Sequence, residues 1–112
     1  EAKLAARDAL RAPALAELVR LDDGQFRALF TKSPIKRIGR NRFIRNVLIA
    51  IGNSGDTSLA EEAVRLLDDA SPLVRGAAVW ALSQLMEFDK LKALARTDID
   101  SSVADEWHAA LS

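Results

Sequence analysis

The feature that most limits what this chain can fold into is a repeat. Setting DDASPLVRGAAVWALSQL (residues 68–85) beside TDIDSSVADEWHAAL (residues 97–111) at an offset of 29 places Asp69 on Asp98, Val74 on Val103, Ala81 on Ala110 and Leu82 on Leu111. FIRNVLIAIGN (residues 43–53) lies on VRGAAVWALSQ at an offset of 30 or 31, and the helical segments ahead of them, 58–67 and 89–96, keep step. A period near 30 built from helix pairs describes a solenoid, because one pair cannot bury its own apolar stripe and must stack on neighbours. No segment alternates as a strand bounded by turns would. The expected fold is an all-α superhelix of about three helix pairs in a single domain. Its expected parts are lead-in helices over 1–25, a first repeat over 26–55, a second over 56–86 and a degenerate capping repeat over 87–112.

Helix punctuation supports this division. Asp22 with Gln25, and Ser58 with Glu61, have capping-box spacing, and Ser33-Pro34 and Ser71-Pro72 each set a cap before the residue whose fixed φ suits a first helical turn. The adjacent acids Asp22-Asp23 and Asp68-Asp69 precede helices and read as caps and dipole partners. Gly52 and Gly55 in GNSGD are expected to end one helix and open the next. In the 72–85 helix, Val74, Ala77, Ala78, Ala81, Leu82 and Leu85 make one apolar stripe, with alanines that allow close helix approach. Within DASPLVR, Asp69 and Arg75 stand six apart across the turn. In this the segment resembles the HEAT repeat family, in which a turn acid and an early basic residue of the second helix tie neighbouring repeats together. The last unit has Ala104 at the arginine position and the first lacks the turn acid, as expected of units that end a stack.

The same residues exclude much chemistry. The chain has no cysteine, which removes disulfides, thiolate nucleophiles and iron–sulfur ligation. His108 is the single histidine, so neither a histidine-based triad nor a histidine metal cluster can be assembled, and it reads as a packing or surface residue. The expectation is no catalytic residue, no metal site and no enzyme activity in this chain alone. The longest apolar run, VLIAI, is far shorter than the ~20 residues of a membrane span. GNSG has the glycine spacing of a KH backbone clamp but lacks the strands of that fold, and it lacks the lysine of a phosphate-binding P-loop. Trp80 falls opposite the apolar stripe, either packed on a neighbouring repeat or free to stack on a base.

Charge is where function becomes legible. The formal net charge is zero, yet residues 1–46 hold eleven Lys or Arg against five acids and residues 47–112 hold the reverse. Within 31–46, TKSPIKRIGRNRFIRN carries Lys32, Lys36, Arg37, Arg40, Arg42 and Arg45 with no carboxylate among them. Arginine outnumbers lysine there, which favours bidentate recognition of phosphate, and Phe43, Ile44, Val47 and Leu48 follow at helical spacing to mount the cations on a packed helix. An anionic partner, foremost a nucleic acid, is expected to meet these six residues.

FRALFTKSPIKRIGRNRFIRNVLIAIGNSGD followed by LLDDASPLVRGAAVWAL resembles the helical-repeat region of epoxyqueuosine reductases, with SPIKR, RNV and GNSGD in that order carrying the likeness. The resemblance implies a cytoplasmic parent that uses cobalamin and two four-iron clusters to reduce epoxyqueuosine to queuosine at the tRNA wobble position. It also implies that this chain is a fragment of that parent, packing on the catalytic and ferredoxin-like domains and helping to hold the tRNA anticodon stem-loop. A start at EAKLAARDAL, with Met86 the only methionine, reads the same way. The alternative is a scaffold whose basic face docks an acidic protein surface.

Overall fold

The computed structural model describes residues 12–112. Among these there are seven α-helices and no strand: α1 (Ala12–Val19), α2 (Asp23–Leu29), α3 (Gly39–Ser54), α4 (Ala60–Arg65), α5 (Pro72–Leu85), α6 (Phe88–Leu94) and α7 (Ser101–Ala110). Short 3₁₀ helices at Pro34–Ile38, Thr57–Leu59 and Leu66–Asp68 join them. Helices α3, α5 and α7 lie side by side with α5 in the middle, α1 and α2 pack on α3, and α4 and α6 pack on α5.

The core follows the repeat. Ile44 of α3, Val74 of α5 and Val103 of α7 are buried at matching positions one helix apart, and so are Leu48, Ala78 and Trp107. The small central member of the second set, Ala78, suits the middle helix, which has neighbours on both sides. Val79, outside the expected stripe, is also fully buried, because α5 is covered on both sides and needs a wider apolar face than an end helix.

Most of the expected helix ends form. Asp22 and Gln25 make a reciprocal capping box, and Ser33 and Ser71 cap the 3₁₀ helix and α5. Three expectations are corrected. Ser58 and Glu61 form no capping box: Asp56 caps Ser58 instead, through a 2.9 Å bond from the Ser58 N–H, and the helix begins as a 3₁₀ turn. Gly52 ends nothing; it is buried inside α3 where the Trp80 ring lies against it, and Gly55, at φ 68°, supplies the left-handed cap. Asp68 and Asp69 are engaged by arginines of other elements, Arg96 and Arg40 respectively.

Candidate nucleic-acid interface

The basic segment is held by aromatic packing and by its turns. Phe26 of α2, Phe30 at its C-cap and Phe43 of α3 form a mutual cluster with ring centroids 5.1 to 5.3 Å apart, which fixes α2 against α3 and sets the loop between them. Thr31 closes α2 by donating its hydroxyl to the carbonyls of Arg27 and Ala28. Pro34–Ile38 then winds as a 3₁₀ helix, and Gly39, at φ 82°, turns the chain into α3. An L side chain at that φ would be strained, so glycine is what allows the two helices to join here.

This geometry divides the six expected cations. Lys32, Lys36 and Arg37 are exposed and line one open cleft of about 540 Å³ with Thr31, Ser33 and Pro34. Arg42 is exposed in the first turn of α3, beside a second cleft that Asp23 also lines. Arg45 is half-buried, bonded through Nε and Nη2 to Asn46 Oδ1 at 3.3 Å, and faces a third, more apolar groove. Arg40 differs from all of them. Its guanidinium meets both oxygens of Asp69 at 3.0 Å and donates through Nε to the Leu21 carbonyl at 3.0 Å, with only 15% of the side chain exposed. With Asn41 Oδ1, which accepts from Nη1 at 3.2 Å, the fork serves four acceptor oxygens and has little left for a phosphate.

Arg40 belongs to a ladder. Arg75 meets both oxygens of Asp98 at 2.8 and 3.0 Å, and donates to the turn carbonyls of Asp69 and Ala70. Each of these acids also accepts the N–H of the next helix's N-cap residue, Ser71 to Asp69 and Asp100 to Asp98. One arginine therefore fastens its own turn and the turn of the following repeat. Asp69 and Arg75 both lie in inter-repeat ties, with side-chain partners in the repeats before and after. Burial pushes the Asp69 carboxyl up, but bonds from Arg40 and the Ser71 N–H, with the Arg40 charge, outweigh it and leave the group below its ordinary value. Asp98 is held below its ordinary value by Arg75 and by the Asp100 N–H. Two further pairs, Arg20 with Glu62 and Arg96 with Asp68, give no periodic signal in the sequence.

Outside the basic segment, every described arginine has an ion pair: Arg20, Arg27, Arg65, Arg75 and Arg96. Inside it, only Arg40 does among the described residues. Arg42 sits in the first turn of a helix whose start has no side-chain cap, where the helix dipole is itself positive. Cations placed against the dipole and left without acids make a surface that an anion would stabilise. His108 is exposed, and no group of three metal-ligating side chains occurs among the described residues. No described helix is long and apolar enough to cross a membrane.

A family model for HEAT repeats matches residues 41–112. Among curated proteins, the chain is similar to epoxyqueuosine reductases. It is 36% identical over 87 residues to that of Alicycliphilus denitrificans, covering 70% of this chain and 24% of the relative. It is 34% identical over 87 residues to that of Salmonella typhimurium, covering 78% and 23%, and 32% identical over 81 residues to that of Escherichia coli, covering 72% and 21%. The chain thus spans about a quarter of the length of the relatives it matches. No solved structure matches it significantly.

Proposed function

This chain belongs to the HEAT-repeat family, and from that premise we propose that it is the tRNA-positioning helical domain of an epoxyqueuosine reductase. In this reading Lys36, Arg37 and Arg42, with Lys32 and Arg45 at the margins, hold phosphates of an anticodon stem-loop while the rest of the parent reduces epoxyqueuosine to queuosine. The contribution of the domain is orientation: contacts to the backbone set register and place the wobble nucleotide against a reactive centre elsewhere. The observation that carries the reading is that, among the described residues, arginines without an ion pair fall only within 37–45, while every described arginine outside the basic segment has one.

The two four-iron clusters, which the family resemblance implies for the parent together with cobalamin, do not fit the residues of this chain. It has no cysteine to ligate a cluster, so any such group is assigned to the remainder of the parent.

The test is a titration of anticodon stem-loop RNA with the chain at several salt concentrations. Expected are a Kd on the order of 10⁻⁴ to 10⁻⁶ M and a log–log salt slope of about −2 to −3 for roughly three phosphate contacts. Reversing Lys36, Arg37 and Arg42 to glutamate should abolish binding and leave the helical circular dichroism intact. Undiminished binding by that variant would refute the assignment. Salt-insensitive capture of the parent's catalytic domains, without RNA binding, would favour the docking alternative.

A further inference from the structure

The third groove, between α3, α5 and α7, shares only the marginal Arg45 with the phosphate contacts. We propose that it receives one unpaired nucleobase of the RNA strand whose phosphates lie on Lys36, Arg37 and Arg42; the proposal rests on the RNA-binding reading above. The groove has a volume of about 430 Å³, within the range of small-ligand sites. It adjoins the cleft beside Arg42, because Leu73 lines both. A strand following the cations along α3 therefore reaches it without leaving the surface.

Its lining suits a base. Trp80 is half-buried, with its six-membered ring so close to Gly52 that a Cβ there would lie 2.5 Å from Cζ3, so the indole is a fixed platform. One turn earlier on α5, Gly76 leaves space beside the ring: a Cβ at that position would meet only the Glu106 Cγ, at 3.6 Å. Ile49, 41% exposed, and Leu73, 39% exposed, provide apolar walls. At its charged edges stand Arg45, without an ion pair among the described residues, and Glu106, likewise without one.

The pairing of those two edges selects the occupant. A phosphate would be repelled by Glu106, and an aliphatic side chain would leave both charged groups without partners. A nucleobase offers a π-face to Trp80, N–H groups that a carboxylate can accept, and ring acceptors for a guanidinium. Guanine, which carries two adjacent N–H donors and an acceptor edge, satisfies both ends together.

Gly76→Leu tests the proposal, because it fills the groove from a helical position with ordinary backbone geometry and improves helix propensity. Affinity is measured for a stem-loop and for a blunt duplex of the same stem, and 2-aminopurine fluorescence is followed at each loop position in turn. The native chain should quench 2-aminopurine at one loop position. Gly76→Leu should lose about tenfold in stem-loop affinity, the worth of one base stack, and should abolish that quenching. Duplex affinity and salt slope should not change. Trp80→Phe, which keeps an aromatic face, should retain most of the affinity. Unchanged stem-loop binding by Gly76→Leu, or equal losses on both RNAs, overturns the base site while leaving the phosphate reading standing. If the native chain binds neither RNA, the phosphate reading fails and takes the base site with it.

Discussion

Arg40 and Arg42 are two residues apart and have opposite fates, because two residues turn an α-helix by about 200°. Arg40 points at the turn acid of the next repeat and Arg42 at solvent. Removing a partner from a largely buried, bidentate pair leaves a charge without its bonds, whereas removing an exposed charge costs little. Asp69→Ala should therefore lower stability by about 2–3 kcal/mol in urea denaturation. Arg42→Ala should stay within about 0.5 kcal/mol of the native chain and weaken RNA binding instead. A stability-neutral Asp69→Ala would mean that the tie is dispensable. Sequence spacing could not separate the two arginines. Arg40 lies four residues before Ile44, whereas Arg75 lies one after Val74, so aligning the buried positions never sets one arginine on the other. The repeat acids Asp69 and Asp98 did align, since each is fixed two residues before its helix cap.

Between elements, the decisive contact is that of α3 with α5. Trp80 lies across Gly52, and a Cβ at Gly52 would also come within 3.1 Å of the Ala81 backbone. A helical glycine replaced by alanine normally gains about 1 kcal/mol from propensity. Here overpacking against a rigid ring and a backbone atom should reverse the sign, for a net loss of about 1 kcal/mol or more. Gly52→Ala should also shift tryptophan emission as the Trp80 ring is displaced. A stabilised variant with unchanged emission would contradict this packing. Sequence patterning recovered the helices, since apolar period and caps are local. It did not recover the role of Gly52, which is set by a residue 28 positions away. Nor did it show that Trp80 both packs and borders a groove, because its neighbours there, Gly52 of α3 and Glu106 of α7, lie on helices distant in the sequence. Helix α4 likewise began through Asp56 rather than Ser58, a choice between two nearby oxygens that propensity does not resolve.

Across the whole molecule, the acids that join repeats titrate in one direction. Glu62 is held low by Arg20, Asp98 by Arg75, and Asp69, despite its burial, by Arg40 and the Ser71 N–H. A carboxyl with a lower value in the folded chain than in the unfolded one binds protons more readily when unfolded. Its contribution is complete above the unfolded value, about 3.9 for Asp and 4.3 for Glu, and is lost as pH falls through the folded value. Because these groups span successive repeats, their protonation loosens the stack along its length rather than at one end. The midpoint of thermal unfolding should thus be level above about pH 5 and fall steeply below about pH 4. Replacing Asp69 and Asp98 together by asparagine should lower the midpoint at neutral pH, since both pairs lose their charge. The same variant should show a shallower decline in acid, because two of the groups that drive it are gone. It should not be flat, since Glu62 still titrates, as do Asp56 and Asp100, which their bonds to Ser58 and Ser102 hold low. An acid decline as steep in the double variant as in the native chain would show that the ladder is not what acid undoes.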